Sequence, residues 1–201
     1  MAIDISDQRF EEAWALVLAG ATNRRSPCHT PVIATIGSDG APQQRVMVLR
    51  DADQATRSLR FHTDIRAHKV SEIAASDMVS ILLYDAEAKV QVRLSGTGTT
   101  RSEGADIDAI WQEADRFARR CYLAEVAPGS VAVEATSGLP AWVQGIKPEE
   151  ADLISARANF AVLMAEITRI EWLYLATTGH RRARWDWDAN TQAWNGCWLV
   201  P

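Results

Sequence analysis

The residues best suited to chemistry are basic and fall in one stretch. Arg45 opens an apolar run of Val46, Met47, Val48 and Leu49 that closes on Arg50. Phe61, His62, Thr63 and Asp64 follow, and then Arg66, Ala67, His68 and Lys69. The pattern predicts a strand that starts on an arginine, a second strand that ends in Thr and Asp, and a helix that opens on basic side chains. Two strand ends and a helix N-terminus that converge can hold a doubly charged phosphate. Backbone N–H groups supply part of the field, and Arg and Lys supply the rest. The stretch therefore points to a phosphorylated ligand rather than to a hydrolytic triad or a metal. Taken singly, Arg45 also fits an edge ion pair and Lys69 a solvated helix face, because charged side chains are mostly exposed. Thr63 at a strand end alongside both favours the phosphate site.

Gln91 is a second anchor, on the strand face opposite Val90 and Val92. Its amide donates and accepts at once, as the edge of a heterocycle with alternating donors and acceptors requires. A solvent-facing glutamine is the plain alternative. Further on, residues 170–174 and 179–185 set aromatics beside arginines. Such pairs can stack on a planar ligand and hold its anionic tail, and the same residues also read as a barrel strand with alternating apolar and basic faces. Trp185, Trp187, Trp194 and Trp198 read as core or dimer-interface residues. No side chain stands out as a general acid or base, so no catalytic residue is assigned.

The elements that must position these residues follow from periodicity and punctuation. Ser6 is a suitable N-cap, and Phe10, Ala13, Trp14, Val17 and Leu18 recur at helical spacing, which predicts an amphipathic helix over residues 7–20. Strands are predicted at 31–37 and 42–50, joined by a tight turn at Ser38, Asp39 and Gly40. The second of these strands reads as buried on both faces. A polar loop is predicted at 51–57, a strand at 58–63 and a helix at 66–75. Residues 79–84, apolar apart from Ser80, read as a buried strand, whereas 89–100 alternate. A second helix is predicted at 103–120. Residues 125–147 hold Pro128, Gly129, Gly138, Pro140 and Gly145 and read mostly as loop. Pro148, followed by Glu149, Glu150 and Asp152, predicts a helix over 148–160. Strands at 161–176, 181–187 and 193–199 close the chain. Mainly antiparallel strands with inserted helices predict a closed barrel with peripheral helices.

The length of 201 residues suits one domain, and 47% hydrophobic residues provide an ample core. A net charge of −5 argues against broad nucleic-acid binding, although a few local arginines can still reverse the field around a small anion. No apolar run reaches the roughly 18–20 residues needed to span a bilayer, so no membrane partner is expected. Residues 1–10 carry acids and no apolar segment of the signal-peptide kind. Cys28, Cys121 and Cys197 are far apart and show no zinc or redox spacing, so no metal is expected and a cytoplasmic location fits best.

In this order the segments 45–50, 61–69 and 89–96 and the Trp-rich closing strands, which end in Trp198, Leu199, Val200 and Pro201, resemble the pyridoxamine 5′-phosphate oxidase family of FMN-binding split barrels. The resemblance runs from about residue 30 to Pro201. It implies a split β-barrel of Greek-key type, FMN as cofactor, a homodimer holding FMN between its subunits, and two-electron redox of a small substrate. It further implies that Arg45 and Lys69 contact the FMN phosphate and that His68 adjoins them. Val46, Met47 and Val48 would lay backbone along the flavin, and Leu49 would close that strand. His62 and Thr63 would sit beside the flavin, Gln91 near its ring system and Trp172 at its edge, and Arg184 matches the last arginine of the C-terminal signature. On the substrate side, Tyr122 and Ser130 match phosphate contacts, with Val126 where an arginine is expected, and Arg50, His180 and Arg181 are candidate substrate contacts. The departures are Ala67 and His68 in place of Ser and Arg, and Val90 in place of the Arg before the glutamine. The C-terminal Arg-x-His motif is not reproduced cleanly by His180, Arg181, Arg182 and Ala183. The flavin half of the pattern is thus better kept than the substrate half. The alternative reading is a non-catalytic module on the same barrel that holds FMN, haem or a deazaflavin.

Overall fold

The computed structural model describes residues 7–201, so the expected cap Ser6 lies outside the described residues. Helix α1 (Asp7–Thr22) buries Ala13, Trp14 and Val17, and sets Phe10 against Trp185 and Trp194 at ring-centroid distances of 5.6 and 5.5 Å. Burying this apolar stripe fixes the helix on the sheet.

The strands are β1 (Val32–Ile36), β2 (Pro42–Val46), β3 (Leu49–Asp53), β4 (Ser58–Asp64), β5 (Met78–Asp85), β6 (Val90–Arg101), β7 (Phe160–Tyr174), β8 (Arg181–Asp188) and β9 (Ala193–Leu199). Their order is β2-β1-β5-β6-β7-β4-β3, with β8 added on the outer part of β7 and β9 beyond it. Every pairing is antiparallel. The fold is mainly β with peripheral helices. It is a split rather than closed barrel, because β2 and β3, neighbours in the chain, stand at opposite ends of the pairing order. The core lies between the sheet and α1 and includes Leu49, Leu59, Phe61, Ile81, Val92 and Leu94.

The predicted strand over 42–50 is therefore two strands. At Met47 the backbone leaves the ladder, its N–H donating to Pro31 O at 3.0 Å, and the chain crosses the split before pairing again. Nor is this stretch buried on both faces, since Val46 is 63% exposed. Residues 51–53, expected as loop, continue β3, with Ala52 packed against the core between the exposed Asp51 and Asp53; only 54–57 turn. β5 also departs from the expectation. Val79, Ile81 and Leu83 are buried, whereas Met78, Leu82 and Tyr84 point outward.

A second cluster forms outside the barrel. Helix α2 is His68–Ala75, α3 is Ala105–Glu113 and α4 is Arg116–Arg119. The single helix predicted at 103–120 is broken at Asp115, whose carboxylate accepts from Phe117 N at 2.8 Å and starts a new helix. The helix predicted at 148–160 is absent. Short 3₁₀ turns occupy Ala151–Leu153 and Ser155–Asn159, and Phe160 already begins β7. Leu153, Ala156 and Phe160 must all reach the second core, with Trp111 and Tyr122, and Phe160 does so from an extended backbone.

Candidate functional site

β4 ends inside the fold. Thr63 and Asp64 are buried, opposite Ala161 and Phe160 of β7. Asp64 turns the chain, its carboxylate accepting from Arg66 N and Nε at 2.9 Å and from Nη2 at 2.7 Å. Ala67 N donates to Asp64 O at 3.0 Å, and α2 then starts with Ala67 as N-cap, without a side-chain cap and without an acid in its first turn. The field of that helix start is left to an external anion.

Two cations face this point. Lys69 Nζ donates to Thr63 Oγ1 at 3.2 Å. Burial lowers its pKa and the Arg45 charge lowers it further, so a bound anion would restore it. Arg45 is held by α2, donating through Nη2 to Glu72 Oε2 at 2.8 Å and through Nη1 to Thr35 Oγ1. Thr35 Oγ1 donates in turn to Glu72 Oε2 at 2.5 Å.

Arg45, Thr63 and Lys69 line one cleft of about 440 Å³. Val46, Met47, Val48, Arg50, His62 and Tyr122 line it as well. Nine of the residues singled out in the sequence thus line one cavity. Their roles toward a ligand are a separate matter. Sequence reasoning missed Arg119 and Cys121, which also face the cleft. On a helix pattern Arg119 looks like any surface arginine, and only the aromatic pair Trp111 and Tyr122 around it hinted at burial.

Other predicted residues lie elsewhere. Leu49 is fully buried in the core, since its place in the alternation of β3 turns it inward. His68 and Ser130 are exposed and do not line the cleft, and Val126 is 55% exposed. Gln91 lies in a separate notch of about 90 Å³ with Glu171 and Arg182. Trp172 and Arg181 border another cleft of about 810 Å³, where Arg9 stacks 5.2 Å from the Trp172 ring. His180 is exposed, and Arg184 Nε lies 2.9 Å from Asp186 Oδ2 on β8. Gln91 pairs with Leu173, whereas Thr63 pairs with Ala161. The two groups are thus separated by roughly 40 Å along β7.

His62 is the polar group on the wall of the main cleft. Its ring meets Phe160 edge-on at 5.0 Å, and Nε2 is buried without a partner among the described residues. Burial, then the charges of Arg50 and Arg60, push its pKa from 6.5 down to about 3. The folded chain keeps a neutral imidazole. Between those values the unfolded chain binds a proton that the folded chain refuses, so stability is full above about 6.5 and drains away as pH falls toward 3. The slope from this group approaches roughly 1 kcal/mol per pH unit. The urea midpoint of the wild type should therefore drop more between about pH 7 and pH 5 than that of His62→Gln. Identical drops in the two proteins would show that His62 protonates freely in the fold.

Known proteins resemble this chain in part of its sequence and in its fold. Residues 11–102 match the family model for the FMN-binding domain of pyridoxamine 5′-phosphate oxidase. The chain is 32% identical over 102 residues to a pyridoxine/pyridoxamine 5′-phosphate oxidase of Thermosynechococcus vestitus, a match covering 50% of this chain and 47% of that protein. With the corresponding oxidase of Myxococcus xanthus it shares 34% over 85 residues, 42% of this chain and 40% of the other. The matches thus span about half the length of these curated relatives or less. Among solved structures, a pyridoxamine 5′-phosphate oxidase-related FMN-binding protein of Nostoc punctiforme superposes with a TM-score of 0.73 at 22% identity, over 100% of both chains. PhzG of Burkholderia lata, solved with tetrahydrophenazine-1-carboxylic acid, gives 0.67 at 21% identity over 98% of this chain and 94% of its own. These two likenesses establish the fold. The matched segment holds Arg45, His62, Thr63, Lys69 and Gln91 and stops short of Tyr122, Trp172 and Arg184.

Proposed function

We propose that this chain, a pyridoxamine 5′-phosphate oxidase-like split barrel, binds FMN in the cleft of Arg45 and Lys69 and serves as a flavin-dependent oxidoreductase of a small substrate. The observation that carries this reading is the meeting of Arg45, Thr63, Lys69 and the uncapped start of α2 at one end of the cleft. These donors fit a phosphate monoester, with two cations and free helix N–H groups for a dianion. Val46, Met47 and Val48 line the same cleft and offer an apolar edge to a ring system. Bound FMN would supply the two-electron transfer.

The chain's own residues prepare the site. Glu72 and Thr35 hold the Arg45 guanidinium before any ligand arrives, which spares the cost of ordering it later. Lys69 is partly desolvated, so its charge is felt strongly by a phosphate. His62, kept neutral, offers one hydrogen bond through Nε2 without adding charge.

A second copy of the chain completes the site on this reading. Gln91, Trp172 and Arg184 lie far along β7 from Thr63, beyond the reach of one ligand within one subunit. The outer face of β5 leaves Met78, Leu82 and Tyr84 at 62%, 37% and 47% exposure. An apolar patch of this kind marks an association surface. Leu82→Glu should convert a dimer into monomers in light scattering and release the flavin with it. A dimer that persists with its flavin would place the interface elsewhere.

The first test is the visible spectrum of freshly purified protein, with any released ligand identified by mass. Oxidised-flavin bands and released FMN support the reading. A colourless protein that also fails to take up added FMN defeats it, and a Soret band would favour haem on the same barrel.

A further inference from the structure

Arg119 closes α4 and is 2% exposed. Its guanidinium lies 5.0 Å from the Trp111 ring and donates through Nη2 to Glu150 Oε1 at 2.5 Å. Nε and Nη1 are buried and have no partner among the described residues. Unmet donors on a buried cation are costly, so these two call for an acceptor from outside the chain. The side chain faces the cleft of about 440 Å³ from the α4 side, whereas the phosphate seat is built by β2, β4 and α2. Arg50 borders the same cleft, and its Nε is also buried without a partner among the described residues.

The surroundings select the anion. Glu150 is a single carboxylate, 59% exposed, and it already takes one edge of Arg119. A dianion would press twice the charge of a monoanion against Glu150, so the neighbouring carboxylate favours a planar monoanion. Tyr122 on the same wall stays protonated, because burial raises its pKa, so it does not repel an anion. Ala114, Ala118 and Pro128 leave room for an apolar body behind the charged group.

We propose that Arg119, with Arg50 facing the same cleft, receives the carboxylate of the small substrate handled there. This rests on the reading of the cleft as a flavin site with its phosphate seat at the other end.

The probe is benzoate, compared with benzamide and phenyl phosphate. Binding is followed by calorimetry and by tryptophan fluorescence in FMN-loaded and in flavin-free protein. In the FMN-loaded protein benzoate should bind about tenfold or more tighter than benzamide, and Arg119→Gln should abolish that preference. Glu150→Gln removes the rival carboxylate from an exposed position and should tighten benzoate several-fold, an effect that a purely structural Arg119 would not produce. Equal binding of benzoate and benzamide, or a Glu150→Gln protein with unchanged benzoate affinity, overturns the proposal. In the FMN-loaded protein, where the phosphate seat is filled, phenyl phosphate as the tightest of the three overturns the choice of carboxylate. If the chain takes up no FMN yet the flavin-free protein binds benzoate through Arg119, the flavin reading falls and the carboxylate site stands.

Discussion

Replacing Arg45 and Lys69 together by alanine should weaken FMN binding by roughly 3–6 kcal/mol, a hundredfold to about ten-thousandfold, since each charge-assisted contact contributes about 1.5–3 kcal/mol. The two residues fail in different ways. Lys69 donates to Thr63 and, unlike Arg45, forms no ion pair among the described residues, so Lys69→Ala should act mainly on the phosphate. Arg45 also neutralises Glu72, whose side chain is 11% exposed, and satisfies the buried Thr35. Its loss leaves a carboxylate without its partner and lowers stability as well. Arg45→Ala with Glu72→Gln separates the effects, because the added change removes the stranded charge and leaves the affinity loss in place. Fluorescence titration of FMN into flavin-stripped protein reads the outcome. Wild-type affinity and stoichiometry in the Arg45→Ala, Lys69→Ala protein would place the phosphate elsewhere.

Gly96→Ala should cost about 3 kcal/mol or more of stability, a shift in Tm of roughly 10 °C. Gly96 sits at the register shift in β6, where the strand presses against β7. A Cβ there would lie 1.9 Å from Glu166 O, 2.8 Å from Glu166 C and 3.0 Å from Ile167 Cα. All three are backbone atoms of a strand paired on both sides, so neither partner can yield by a side-chain rotation. Gly145 is the contrast. It has φ +72, yet a Cβ added there would meet nothing within 4 Å, so Gly145→Ala should cost only about 1–2 kcal/mol of backbone strain. Thermal melts of the two variants that shift equally would show that the β6–β7 contact relaxes at little cost.

Much of the barrel was legible because strand alternation is a local signal. Val90, Val92 and Leu94 against Gln91, Arg93 and Ser95 fixed the faces of β6 from the chain alone. What failed needed long-range information. Val46 to Leu49 are all apolar, and nothing local says that the ladder is interrupted at Met47 and Val48; the split is a property of which strands stand at the ends of the order. Leu82 and Tyr84 looked like core because an apolar side chain reads the same from the sequence whether it faces the interior or the surface. Pro148 with Glu149, Glu150 and Asp152 carries a sound helix-start signal, yet the packing of Leu153, Ala156 and Phe160 overrides it. At the cleft, the convergence of Arg45, Thr63 and Lys69 was legible because these residues are close in sequence. Arg119 was not, since its burial depends on Trp111 and on Glu150 across a loop.

The pairing of β4 with β7 has a consequence during translation. Ser58 meets Glu166 and Asp64 meets Phe160, about a hundred residues further along. At roughly 5–20 residues per second, β4 leaves the ribosome some 5–20 s before the strand it needs. β6 waits on the same strand, so two sheet edges stand open at once on the nascent chain. Open edges recruit other strands, and charged side chains along them discourage it. Arg60 on β4 and Arg93 and Arg101 on β6 supply that charge. The strand that holds the two halves of the barrel together is thus the one whose late arrival leaves the newborn protein most dependent on its own arginines to stay unaggregated.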